Sequence, residues 1–261
     1  MQSLPRSLSS ALHFGAACTQ TEMISSYHKP LRFEDPLRLL PRILNKLYSM
    51  WLDATYPFAP GGRGWSIHYT CVVKRSTAPR IKLGNHVLVL KDAYLDVIAP
   101  PEENGPPVIV IDDNCWVARR STISAKNYIH LERDVILSPS VLIMDHSHAY
   151  ENTKLPIKEQ GVTEGGRIRI EQGCWIGHGA AIVCTQGELV LGRNCVVAAN
   201  AVVTRSYPPY SVISGNPARV VKQFDSAKGV WVLGSARSVD AEPSRQEQVT
   251  LTGNPLAPHP G

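Results

Sequence analysis

No run of eighteen apolar residues occurs in the 261-residue chain, so no helix long enough to cross a bilayer is expected. The six cysteines form no C-x-x-C pair and no metal-finger spacing, which argues against zinc ribbons and thioredoxin-like redox motifs. No basic stripe concentrates the formal charge of +5, and no DNA- or RNA-binding signature is present. So mild a charge suits an anionic small molecule better than a nucleic-acid surface. The opening MQSLPRSLSSALHFGAAC lacks the unbroken apolar core of a secretory signal, because Ser9, Ser10 and His13 interrupt it. The expectation is a cytoplasmic protein with no nucleic-acid partner, of a length for one large domain or for one domain with appendages.

Residues 1–30 read as a flexible N-terminus and 31–80 as a helical segment. Within EDPLRLLPRILNKLYSMWLDATYPF, Asp35-Pro36 is a helix start, although Pro41 is a second possible first residue. Leu40, Ile43, Leu44, Leu47 and Trp51 recur at three- and four-residue steps, with Arg38, Arg42, Asn45 and Lys46 on or near the other side. Base rates favour a helix capping a larger domain; the alternative is peripheral contact with an anionic membrane.

From residue 81 the period changes. Aliphatic residues fall every six positions: Leu83, Val89, Leu95; Ile111, Val117, Ile123, Ile129; Leu131, Leu137, Ile143; Ile170, Ile176, Ile182; Leu191, Val197, Val203. A small or acidic residue often follows, as in Gly84, Asp112, Ala118, Glu132, Gly177 and Gly192. Period six is neither helical nor the alternation of a hairpin. Three such steps make a coil of about eighteen residues, the signature of a three-faced parallel β-helix over 81–224. Cys115, Cys174 and Cys195 recur two positions before an aliphatic residue and read as small core filler rather than reactive thiols. The phase breaks at the Pro-rich stretch 98–110 and again at 144–167. A long loop leaving a smooth-walled stack is a place to mount chemistry, and LIMDHSHAYENTKLP carries Asp145, His146, His148, Tyr150 and Glu151 into it.

With GCWIGHGAAI and LGRNCVVAANAVVTRSYPPYSVISGNPARVVK, these features resemble the hexapeptide-repeat O-acetyltransferases, in the branch acting on sugars and polysaccharides. The resemblance covers roughly 81–224. It implies a left-handed parallel β-helix, a homotrimer with active sites between subunits, and acetyl-CoA as co-substrate with no bound cofactor or metal. It places the catalytic loop histidine at His146. Its CoA-contacting positions match His178, Ala199, Thr204, Arg205, Arg219 and Lys222, and Trp175 stands where relatives often carry a tryptophan.

The chemistry agrees with that placement. A sugar hydroxyl is a poor nucleophile, and a neutral imidazole within hydrogen-bond reach can take its proton as it attacks a thioester. His148 reads as a positioning residue or an idle surface group. Asp145 polarises a histidine or braces the loop; adjacent side chains rarely meet face to face, which favours bracing. Tyr150 and Glu151 bond a sugar or end the loop. Where relatives place an asparagine, WVARRSTIS has Ala118, Arg119 and Arg120; if the arginines face the groove, the acceptor is anionic. Two rivals share the fold: a γ-type carbonic anhydrase holding zinc through three histidines, and a non-catalytic scaffold. For the first, His130, His146, His148 and His178 are available but the H-x-x-x-x-H pairing is absent. The chain after Phe224 reads as a flexible tail, 225–261.

Overall fold

The computed structural model describes residues 36–98 and 105–234. The expectations for residues 1–30, for the centre of the Pro-rich stretch and for the chain beyond 234 lie outside them. Contacts divide the chain into two units, 1–47 and 48–261.

One helix, α1 (Pro36–Thr55), runs through the boundary between the units. Pro41 lies inside it rather than at its start, removing one backbone donor without ending the helix. In the second unit, Ser49 Oγ donates to the Ile67 carbonyl and accepts the Ile67 N–H, each at 3.1 Å, and Leu52 is buried.

The second unit is a prism of short strands on three faces. The first face stacks Ile81–Leu83, Ile109–Ile111, Tyr128–Leu131, Arg167–Ile170 and Glu188–Leu191, all parallel. The second runs from Ser66–Ile67 through Leu88–Val89, Trp116–Val117, Ile136–Leu137, Trp175–Ile176 and Val196–Val197 to Ser211–Gly215. The third stacks Val72–Val73, Tyr94–Val97, Thr122–Ala125, Leu142–Met144, Ala181–Val183 and Val202–Val203. Every six-step aliphatic residue read from the sequence is buried, none more than 2% exposed, so the period corresponds to one core column per face. Cys115, Cys174 and Cys195 are buried beside these columns.

Corners explain the residue types between strands. On the first face the third residue after Leu83, Ile111, Leu131, Ile170 and Leu191, and on the second the third after Val89, Val117, Leu137, Ile176 and Val197, takes positive φ: His86, Asp92, Asn114, Arg120, Asp134, Ser140, Gly173, Gly179, Asn194 and Asn200. Asn, Asp and Gly tolerate that region best and make up most of the set. At Gly177 the constraint is instead stacking, because a Cβ there would lie 2.7 Å from the Ala199 nitrogen of the next coil.

Both ends of the prism differ from the sequence reading. The stack begins before residue 81: Ala59 bridges Lys82, and Ser66–Ile67 and Val72–Val73 pair with the next coil. Ile67 and Val73 keep the six-residue step, but the 3₁₀ turn Arg75–Arg80 sets them out of phase with Leu83. At the other end, the expected tail from 225 starts as ordered chain. Ala218–Asp225 and Val230–Leu233 form an antiparallel pair closed by a turn in which Asp225 Oδ1 accepts the Ala227 and Lys228 N–H groups.

Candidate functional site

Two of the three corner columns are regular. The corner from the third face back to the first is not. There the chain makes a two-residue turn at Lys126–Asn127, an excursion over 145–166 and a short turn over 184–187. Asp145 and His146 lie just past the end of Leu142–Met144, at the root of the excursion.

Asp145 is fully buried, and its carboxylate takes four donors. Oδ1 accepts the Lys126 N–H at 2.7 Å and His146 Nδ1 at 3.0 Å. Oδ2 accepts the N–H groups of Asn127 and Tyr128, each at 2.8 Å. A carboxylate offers about four lone-pair directions and no proton, so this donor set fits its ionised form and fills it. His146 must then carry its proton on Nδ1, which leaves the Nε2 lone pair as an acceptor. The ring is 5% exposed, and no described residue bonds Nε2. The doubt that adjacent side chains meet is thereby resolved: strand alternation ends at Met144, and the turn brings the two side chains together. Asp145 both braces the corner and orients the imidazole.

The excursion is a stalk with an exposed tip. His148 bridges Val162, Ala149 N–H donates to Gly161 O, and Thr163 N–H donates to Ser147 O. The Lys126 ammonium reaches Thr163 O at 2.5 Å, and Asn127 Nδ2 holds Glu164 O at 2.8 Å. Gly165, at φ +81°, closes against the site: a Cβ there would lie 2.9 Å from Asp145 O and 3.6 Å from the His146 Cβ. Arg167 resumes the first face with its guanidinium 4.4 Å over the Tyr128 ring. Lys126, Asn127, Tyr128, Gly165 and Arg167 were missed in the sequence. Their only signal was position beside a histidine distant in sequence, which needs the coil register.

The remaining candidates fall in separate places. His148 is exposed on the stalk; Tyr150 is exposed at the start of the tip, and Glu151 Oε2 accepts the Tyr150 N–H. Thr204 and Arg205 lie on His146's corner, with Arg205 Nε 3.4 Å from Tyr207 Oη. His178, Ala199, Arg119 and Arg120 lie on the corner between the second and third faces, joined by the bonds Gly179 N–H to Pro139 O and Asn200 N–H to His178 O. In one chain the width of the third face separates these residues from His146. Trp175 projects from the second face, 51% exposed, with Nε1 donating to Ser138 Oγ at 2.9 Å. Arg219 and Lys222 are on the terminal antiparallel strand. Among the described residues of one chain no three His, Cys, Asp or Glu side chains are grouped to hold a metal.

No protein-family model matches the chain. In sequence it is similar to WbbJ of Escherichia coli, a lipopolysaccharide biosynthesis O-acetyl transferase by name, at 27% identity over 133 residues. That match covers 49% of this chain and 66% of WbbJ. It is 33% identical over 110 residues to Rv3034c of Mycobacterium tuberculosis, named an acetyltransferase, covering 42% of this chain and 35% of that one. The matched regions thus span less than two thirds of these relatives' own length. In structure the chain superposes on AntD, an N-acyltransferase of Bacillus cereus solved in complex with dTDP and 3-hydroxybutyryl-CoA. The TM-score is 0.54 at 15% identity, over 67% of this chain and 87% of AntD. The fold is that of the hexapeptide-repeat acyltransferases. The prism is therefore a left-handed parallel β-helix, all-β apart from α1 and two short 3₁₀ turns among the described residues. In a hexapeptide-repeat fold the irregular corner is the informative part, because the regular coils serve chiefly to build the core.

Proposed function

We propose that the chain transfers an acetyl group from acetyl-CoA to a hydroxyl of a sugar or glycan acceptor, with His146 as general base. The observation that carries the reading is the Asp145–His146 pair, whose geometry leaves Nε2 free to accept a proton. The acceptor oxygen attacks the thioester carbonyl carbon while its proton passes to Nε2. The C–S bond then breaks, the acetyl group stays on the acceptor oxygen, and the CoA thiolate recovers the proton from the imidazolium. Base assistance of this kind is typically worth about a hundred- to ten-thousand-fold in rate. Asp145 does not take the proton; it fixes the tautomer and stabilises the imidazolium.

Arg205, Arg219 and Lys222 supply cationic groups suited to the phosphates of CoA. The separation of His178 and Ala199 from His146 within one chain supports a homotrimer, in which a neighbour's corner with His178 meets the His146 corner and completes the site. The names of the curated relatives support acetyl transfer, and WbbJ's name supports a saccharide acceptor. Acid on the acceptor side is met by Lys126 and Arg167 beside the site.

The test is mass spectrometry of an acceptor panel after incubation with protein and acetyl-CoA, run with the wild type and with His146→Ala. The expected result is a 42 Da adduct with the wild type, following the replacement of a hydrogen by an acetyl group, and a loss of at least about a hundredfold in rate in the variant. Undiminished transfer by His146→Ala removes the base assignment. No transfer and no acetyl-CoA binding by the wild type leaves the prism a scaffold.

A further inference from the structure

The helix α1 carries a largely exposed apolar stripe, of which Trp51 also makes ring contacts with Tyr48 and Tyr56. Leu40, Ile43, Leu44, Leu47, Met50 and Trp51 are all between 48% and 64% exposed. At 3.6 residues per turn they share one arc of about 120°. Ser49 and Leu52, which are buried in the second unit, lie on the opposite side of the helix. The buried groups at the helix's C-terminal end therefore lie away from most of the stripe. Arg42 and Lys46 lie outside that arc, and no acidic residue occurs in the α1 sequence before Asp53. Arg42 and Lys46 are exposed. No described helix is long and apolar enough to cross a membrane.

We propose that α1 lies flat on an anionic lipid bilayer, with the Leu40–Trp51 stripe in the acyl boundary and Arg42 and Lys46 at the headgroups. An apolar arc with a tryptophan, a basic remainder and modest overall hydrophobicity is the pattern of an interfacial helix. Charge decides between a bilayer and a second copy. In a symmetric pair of these helices, the basic flanks of the two copies would face each other and repel. An anionic surface attracts the same flanks, at about 1 kcal/mol for each cation near it. The lipid contact stands or falls independently of acetyl transfer.

The experiment is co-sedimentation of the full chain with vesicles of pure phosphatidylcholine or of phosphatidylcholine containing 30 mol% phosphatidylglycerol, on the order of physiological anionic content. Wild type should partition into the anionic vesicles at least tenfold more strongly than into the neutral ones, and 0.5 M salt should remove most of that preference, since the Debye length falls to a few ångströms. Leu44→Asp/Leu47→Asp should abolish partitioning, and Arg42→Glu/Lys46→Glu should reverse the lipid preference. Leu44 and Leu47 are exposed, so the thermal midpoint of that variant should hold, and the midpoint measured for both variants distinguishes lost binding from lost folding. Absence of wild-type partitioning, equal partitioning into both vesicles, or unchanged partitioning by Leu44→Asp/Leu47→Asp overturns the proposal. A change of oligomeric state in that variant without wild-type lipid binding assigns the stripe to self-association instead.

Discussion

At the scale of single residues the site depends on one buried carboxylate. Asp145 receives donors from Lys126, Asn127, Tyr128 and His146, so its replacement is not conservative even when isosteric. Asp145→Asn would turn an NH₂ group toward backbone donors and leave some of them without an acceptor. We expect a loss of about 1–3 kcal/mol in stability and at least a hundredfold fall in kcat, with the KM for acetyl-CoA little changed. A kcat within threefold of wild type would show that the carboxylate does not orient the base. A second residue-scale prediction concerns alkali. Burial pushes the Cys115 thiol up to about 12 and the Cys71 thiol up to about 11 from an ordinary value near 9. Native thiols therefore keep protons that the unfolded chain releases. Their contribution is fully present below pH 9 and is lost as pH rises from 9 toward 12. Thermal midpoints measured across that interval should fall, and less steeply in Cys115→Val; an identical slope in the variant would assign the alkaline loss to other groups.

At the scale of elements, the excursion over 145–166 is held by a few contacts at its root. Lys126 and Asn127 bind its returning strand, and Gly165 packs where any side chain would meet Asp145 O and Asn127 Nδ2, at 2.9 and 2.8 Å. Gly165→Ala adds strain at φ +81° of about 1–3 kcal/mol, concentrated beside the imidazole. The expected signature is a tenfold or larger fall in kcat with a thermal midpoint lowered by only a few degrees, read from steady-state kinetics beside calorimetry. A midpoint that collapses along with kcat would mean that the loop is part of the cooperative core. The strand elements themselves are insensitive to such detail. Their inward residues are aliphatic and in register on each face, as in Ile123, Ile143 and Ile182.

At the scale of the molecule, stability resides in the three stacked columns. Ile143 is fully buried between Ile123 and Ile182, and Ile143→Ala should cost about 2–5 kcal/mol by denaturant titration. A cost below 1 kcal/mol would mean that the coils slide to refill the space. Assembly belongs to the same scale. A trimer that brings His178 of one chain to His146 of another predicts a solution mass three times that of the chain. It also predicts that mixing inactive His146→Ala with an inactive His178 variant restores part of the transfer through mixed sites. A monomer that is fully active would remove the intersubunit site.

The six-residue period was legible because it is local: each step places its own aliphatic residue inward, whatever lies in the rest of the chain. The burial of Leu83 through Val203 and the filler role of Cys115, Cys174 and Cys195 therefore followed from the sequence alone. The break in phase marked the loop, whereas the choice of His146 within it came from the family resemblance. The two-residue opening strands and the Val230–Leu233 strand did not show, the former because the 3₁₀ turn Arg75–Arg80 puts Ile67 and Val73 out of phase with Leu83 and the latter because its pairing is antiparallel. Which corner carries the excursion, and that the Lys126–Tyr128 backbone meets Asp145, depended on the register of coils 17 to 19 residues apart. Separation of His178 from His146 is likewise a property of the closed prism. Hydrophobic order along the chain sets what is inside; only closure into three faces decides which polar groups outside become neighbours.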